Sequence, residues 1–100
     1  MGTNAFYSRS IFRHTTGTVI NRPTTVSAMT VVGVDSDVLV VLRDGGATGS
    51  ILWAGEADNA TSSFSQSFNP PIKFLTSVYA EVLTTGSNAY NGVYLAVVEP

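Results

Sequence analysis

The arrangement of short β-type runs is the feature that most constrains the fold of this chain. From Thr18 onward, Val, Ile, Thr, Tyr and Phe concentrate in short runs that are separated by Gly, Asn, Asp and Pro. β-Branched and aromatic residues favour strands, while the separating residues favour turns. No stretch keeps the period of an amphipathic helix. The chain is therefore expected to be all-β.

Three segments give specific structural predictions. Residues 26–34 alternate, which predicts that the even-numbered members of this range share one face of a strand. The continuous apolar run 38–42 is typical of a central strand that is covered on both faces. Asp44-Gly45 is a strong turn signal because glycine tolerates positive φ. Residues 50–54 are therefore expected to return as the second strand of a hairpin.

Residues 62–68 alternate Ser with larger side chains, which indicates a half-exposed strand. Pro70 and Pro71 follow it, and because proline has no backbone N–H they indicate a strand boundary or a sheet edge. Residues 72–83 form the clearest long strand by pattern. One face of that strand would carry Ile72, Phe74, Val78, Ala80 and Val82, and the other Lys73, Leu75, Ser77, Tyr79, Glu81 and Leu83.

Six or seven short strands without helices predict an antiparallel sandwich or barrel. We expect a jelly-roll-like β-sandwich, with an immunoglobulin-like sandwich as the alternative. The sandwich would be one domain of residues 18–100, preceded by an N-terminal arm of residues 1–17. The arm mixes aromatic and basic side chains, and it is expected to reach a neighbouring subunit. Alternatively, Ile11 and Phe12 begin the first strand of the same sandwich.

The chain carries unusually little charge. Charged residues make up 12% of it and hydrophobic residues 44%, whereas a soluble domain has about 25% charged residues. Arg9, Arg13 and Arg22 give residues 1–34 a charge of +3, and the remainder carries −5. Such a surface suits burial against other protein, including a second copy of the chain. Composition therefore favours a subunit of an assembly over a freely diffusing enzyme.

Other partners and locations are not indicated. Five basic residues without an aromatic-basic stripe do not suggest a nucleic-acid groove. No apolar run approaches the roughly 18 residues of a membrane helix, and the N-terminus has no apolar signal region, so we expect synthesis in the cytoplasm. The chain has no cysteine, which excludes disulfides and thiolate metal sites.

Candidate chemistry is sparse. His14 is the only histidine and has no nucleophile pattern beside it, so no catalytic residue is expected. Asp35-Ser36-Asp37 could offer two carboxylates to calcium, but a β-turn is the favoured interpretation, and no metal or cofactor is expected. Trp53 is expected in the core. If it were instead exposed beside Tyr79, Tyr90 or Tyr94, it would form a platform for stacking sugars.

Four segments carry a resemblance to a protein family. They are the apolar run that ends in Asp-Gly-Gly (residues 38–46), the short return strand (49–52), the Phe-Asn-Pro-Pro-Ile-Lys-Phe step (68–74) and Ser-Val-Tyr-Ala (77–80). Together they resemble the short all-β virion proteins of tailed bacteriophages, of the capsid decoration or cement type. One departure is Ser77, where that family pattern would have glycine.

The resemblance implies a non-enzymatic virion structural protein. Such a protein would form a homotrimer, dock on the major capsid protein and stabilise the head from the capsid surface. The alternatives are a head–tail junction or tail accessory protein, and a carbohydrate-binding β-sandwich on the virion. The contacts expected in the arm are Phe6, Tyr7, Arg9, Ile11, Phe12 and Arg13. An outward face covered by a neighbour is expected at Leu75, Tyr79 and Leu83.

Overall fold

The computed structural model describes residues 7–58 and 63–99, and this part of the chain forms eight β-strands. The strands are β1 (Tyr7–Arg13), β2 (Gly17–Ile20), β3 (Thr24–Val32), β4 (Val38–Asp44), β5 (Ser50–Ala57), β6 (Ser63–Phe74), β7 (Val78–Thr84) and β8 (Gly92–Glu99). No helix that could cross a membrane occurs within the two described ranges.

The strands form two antiparallel sheets of four, ordered β1-β8-β3-β6 and β2-β7-β4-β5. Strand β1 pairs with β8, β2 with β7, β3 with β6 and β4 with β5, so the pairs are nested like one long hairpin folded across two sheets. Two further pairings complete the sheets: β3 pairs with β8 in one sheet, and β4 pairs with β7 in the other. Eight strands in two such sheets form a jelly roll. The predicted jelly-roll-like sandwich is confirmed, and the seven-stranded immunoglobulin order is not adopted.

Short connections make successive strands run in opposite directions, so each end of the sandwich collects alternate connections. We call one the Asp35 end, which holds the β1–β2, β3–β4 and β7–β8 connections. The other is the Gly45 end, which holds the β2–β3, β4–β5 and β6–β7 connections. These two ends position the surfaces described below.

The core lies between the two sheets and is made of inward-facing apolar side chains. Alternation places every second residue inside, as in β4, where Val38, Val40 and Leu42 are buried. The buried apolar residues are Ile20, Val26, Met29, Val31, Val38, Val40, Leu42, Ala57, Phe74, Val78, Ala80, Val82, Val93, Leu95 and Val97. Strand β4 is central in its sheet, as predicted, because β7 and β5 flank it. The predicted cover on both faces is not found in the described part of the chain, because Leu39 and Val41 lie on the outer side of the sheet and are partly exposed.

A β-bulge in β3 overturns the predicted face of residues 26–34. The pairing register shifts between Val26 and Ala28. Val26 is buried, but beyond the shift the odd-numbered Met29 and Val31 are buried instead. Because a bulge inserts one extra residue, it moves every later side chain to the other face.

The two prolines lie at a sheet edge, which is one of the two predicted positions. Strand β6 continues through Pro70 and Pro71 and pairs only with β3. Val26 pairs with Ile72 and Ala28 with Ser67, so residues 68–71 loop out opposite the β3 bulge. An edge position tolerates the missing proline donors.

The predicted single strand over residues 72–83 is wrong, because the chain turns at residues 75–77 and changes sheet. Phe74 ends β6 in one sheet, and Val78 begins β7 in the other. The Asp44 carboxylate holds this turn by accepting three hydrogen bonds from backbone N–H groups. The N···O distances are 2.8 Å for Leu75, 2.9 Å for Thr76 and 3.3 Å for Ser77. The predicted inner face survives, since Phe74, Val78, Ala80 and Val82 are all buried.

Hydrogen bonds from the backbone N–H groups of Leu75 and Thr76 hold the pKa of Asp44 below its ordinary value. Its stabilising contribution is therefore full above the unfolded-state pKa of about 3.9 and is lost as pH falls through the lower folded-state pKa. We expect Asp44→Asn to lower the melting temperature at pH 7. The deficit relative to wild type should shrink between about pH 5 and pH 2.

Thermal unfolding followed by circular dichroism across this pH range measures that deficit. Glu56→Gln is the control, because Glu56 is exposed and has no hydrogen bond or ion pair in the described ranges. A constant deficit for Asp44→Asn at all pH values would contradict the role assigned to its carboxylate.

Part of the predicted arm belongs to the sandwich. Residues 7–13, which were expected in the arm of residues 1–17, form edge strand β1, and every one of them pairs with a residue of β8. Ile11 is partly buried against the core, as the alternative interpretation of this segment expected. Residues 1–6 lie outside the described part of the chain.

Candidate protein-interaction surfaces

The outer side of the β2-β7-β4-β5 sheet carries a cluster of apolar side chains, which we call the apolar face. It is formed by Leu39, Val41, Ile51, Tyr79 and Leu83. In β4 and β7 these residues alternate with the buried ones, so the same pattern that builds the core leaves this second row outside. Ile51 is 56% exposed and Leu83 46% exposed.

Few charges interrupt the apolar face. Arg43 and Glu81 form an ion pair across β4 and β7, with 3.2 Å between Arg43 Nε and Glu81 Oε1. Arg43 Nη1 also donates to the Gly49 carbonyl at 3.0 Å. A paired, hydrogen-bonded charge costs less to cover with protein than an isolated charge does. The face can therefore be covered without leaving these two groups unsatisfied.

An acidic groove lies where the apolar face meets the Asp35 end. It has a volume of about 660 Å³ and is lined by Asp35, Asp37, Leu39, Glu56, Leu83 and Thr84, among others. Leu39 pairs with both Leu83 and Glu56, which places this row across three strands. The groove thus combines apolar side chains with carboxylates.

Asn91 shapes this end from inside. It is buried, its Oδ1 accepts the Val34 N–H at 2.6 Å, and its Nδ2 donates to Asp35 Oδ1. The hydroxyls of Ser36 and Thr84 also hydrogen-bond each other. The β3–β4 and β7–β8 connections are therefore tied together. Residues 34–36 form a bend in the β3–β4 connection. Within the described ranges, no group of three or more acidic or histidine residues could hold a metal ion.

The outer side of the β1-β8-β3-β6 sheet is different, with mostly small polar side chains. Thr30 and Ser65 hydrogen-bond each other across strands at 2.9 Å. Phe12 packs on Tyr94 with 4.6 Å between ring centroids. The other members of this outer row include Ser10, Ala28, Ser67 and Ala96. None of these side chains carries a charge, but their hydroxyl groups can hydrogen-bond water, so this side is less apolar than the apolar face.

The structure separates the residues predicted in the arm. Arg9 is exposed on β1, whereas Ile11 faces the core and Phe12 contacts Tyr94. The Arg13 guanidinium donates to the carbonyls of Thr15, Thr16 and Thr18, so it fixes the β1–β2 connection. Phe6 lies outside the described residues, and for Tyr7 the structure describes only its place at the start of β1.

The residues predicted on an outward face divide into two groups. Tyr79 and Leu83 lie on the apolar face, as the alternation of β7 predicted. Leu75 lies in the β6–β7 turn at the Gly45 end and is 76% exposed. Leu39 and Val41 were not assigned to this surface from sequence. The run 38–42 did contain the signal for it. Side chains alternate along a strand, so Leu39 and Val41 must face outward where no second layer covers the sheet.

Trp53 is half-buried at the side where β5 and β6 approach each other. Its ring stacks on Phe64 at 6.4 Å and makes an edge contact with Phe68 at 6.1 Å. Its Nε1–H donates to Gln66 Oε1 at 3.3 Å, and the ring covers Gly55, where an added Cβ would lie 2.0 Å from Trp53 Cη2. The indole thus packs against these neighbours and against the edge of the core, and within the described ranges its ring contacts do not include Tyr79, Tyr90 or Tyr94.

Comparison with known proteins gives no family for this chain. The sequence matches no family model. No curated protein is significantly similar to it.

Proposed function

We propose that this protein is a non-enzymatic structural subunit of a phage virion, most specifically a capsid decoration or cement protein. It would associate as a homotrimer and dock on the major capsid protein at the outer surface of the head. The observation that carries this proposal is the apolar face. Its members Leu39, Val41, Ile51 and Tyr79 all lie on the outer side of one sheet, and the Arg43–Glu81 pair that interrupts them is internally satisfied.

Contact energy supports this role. Full burial of a Val, Leu or Ile side chain stabilises by about 1.5–3 kcal/mol. Ile51 has more than half of its surface still to bury. In a symmetric shell each contact is repeated over many copies, so modest contacts add up to a large stabilisation of the particle. A protein that works in this way needs surfaces that other subunits can cover. Catalysis would instead need convergent polar groups.

The fold is compatible with the proposal but does not select it. Jelly rolls occur in viral capsid proteins and in lectins, and a fold alone does not determine function. The contacts of Trp53 favour the capsid alternative over carbohydrate binding. Much of its ring packs on Phe64, Phe68 and Gly55, which leaves less of it for a sugar to stack on.

Co-sedimentation tests the proposal. Purified protein is mixed with phage heads assembled from the major capsid protein encoded in the same genome, and the pellet is compared with a pellet without heads. We expect saturable binding at a fixed copy number per capsid protein. Binding no greater than that of an unrelated β-sandwich, with heads that are equally heat-stable with and without the protein, would contradict the proposal.

A further inference from the structure

We propose that copies of this protein associate head to tail, with a basic patch at the Gly45 end of one copy docked on the acidic groove at the Asp35 end of the next. The basic patch is formed by Lys73, which carries its positive charge, and by the apolar side chains of Leu75, Pro23 and Pro71. This inference rests on the proposed function and names the surfaces that join neighbouring subunits.

The basic patch surrounds a shallow, mostly apolar groove of about 410 Å³. Leu75 projects from the β6–β7 turn and is the most exposed large apolar side chain in the described ranges. Lys73 is exposed and makes no hydrogen bond or ion pair in the part of the chain that the structure describes. Asp44 lies at the same end, but its carboxylate is turned to the backbone N–H groups of residues 75–77. The patch therefore presents an exposed leucine side chain, Leu75, beside the ammonium group of Lys73.

The acidic groove offers the complementary features. Leu39 and Leu83 form its apolar floor, and Asp35, Asp37 and Glu56 border it. Glu56 is exposed and, within residues 7–58 and 63–99, has no hydrogen bond or ion pair. The two surfaces are complementary in two ways. The projecting Leu75 can be buried on the apolar floor of the groove, and the Lys73 ammonium then lies beside the carboxylates that border it.

The positions of the two surfaces determine the geometry of association. They lie at opposite ends of a sandwich whose longest dimension is 46 Å, so one copy cannot satisfy both surfaces with itself. A contact between two different surfaces is heterologous, and it closes into a ring when the rotation between copies allows. In the proposed trimer the ring has three such contacts. Val41, Ile51 and Tyr79 remain free to face the capsid.

Charge reversal on the purified protein tests this contact without any phage head. Lys73→Glu and Glu56→Lys are each expected to raise the dissociation constant at least about tenfold in sedimentation velocity, because like charges would then face each other. The double variant restores opposite charges with their positions exchanged, and its dissociation constant should return to within about threefold of wild type. Leu75→Ser should weaken association without changing the charge.

Ser10→Glu is the control, since it introduces a carboxylate on the outer side of β1, where Ser10 is exposed and pairs with Ala96, and it should leave association unchanged. Circular dichroism verifies that every variant is folded. A wild-type protein that stays monomeric at all concentrations would overturn the inference, and so would a double variant as weak as the single ones. Head binding is measured separately, so a wild-type protein that binds heads but stays monomeric in solution would reject this contact and leave the docking on heads standing.

Discussion

Replacing Phe74 by alanine is expected to lower the free energy of unfolding by about 3–5 kcal/mol, the usual cost of deleting a buried phenyl ring. Phe74 is 1% exposed and is the largest fully buried side chain. It ends β6 just before the chain crosses to the other sheet, so its ring fills the core next to the turn that Asp44 holds. Domains of this size are stable by only about 5–15 kcal/mol, so the loss is a large fraction of the total.

Urea unfolding followed by tryptophan fluorescence measures this loss, with Trp53 as the single reporter. Phe64→Ala is the matched control, because it removes the same ring from the same strand where the ring is 40% exposed. We expect the control to cost less than half as much. Equal losses for the two variants would mean that the core does not lie between the sheets as described.

Ile51→Asp is expected to weaken binding to phage heads by at least about thirtyfold, or about 2 kcal/mol, which is the threshold of an interface hot spot. The change places a carboxylate on the apolar face, where covering protein would leave it unpaired. Ile51 already has most of its surface in solvent, so the folded protomer should lose little stability. Titration of heads with fluorescently labelled protein gives the dissociation constant.

Ser67→Asp serves as the control for this variant. Ser67 is exposed on the outer side of the other sheet, where it pairs with Ala28. It adds the same charge and should bind heads like wild type. If both variants bind heads equally well, the apolar face is not the docking surface.

The sequence supports prediction of the fold class because two local signals are strong. Turn residues such as Asp44-Gly45 punctuate the chain, and the structure has positive φ at Gly45 and Gly46, as the hairpin required. Alternation identified the inner face of β7 and the outward positions of Tyr79 and Leu83. These signals act within a few residues, so they can be recognised without knowing the rest of the fold.

What the sequence left open depends on distant contacts. The bulge in β3 is matched by the looped residues 68–71 of β6, and the turn at residues 75–77 depends on Asp44, about thirty positions earlier. In both cases the local sequence of one segment gives no indication of the distant segment on which it depends. The same holds for the arm, because Ile11 belongs to the core only once β8 lies beside β1.

The central claim is that the apolar face is covered by other protein in the assembled particle, and thiol labelling at position 51 measures this directly. The chain has no cysteine, so Ile51→Cys introduces one defined site, and Ser67→Cys gives an exposed reference on the other sheet. We expect Ile51→Cys to react rapidly in the free protein and at least about tenfold more slowly in the particle, since an accessible thiol reacts far faster than a covered one. Ser67→Cys should react alike in both. Equally rapid labelling of Ile51→Cys in the free and particle-bound protein would contradict the central claim.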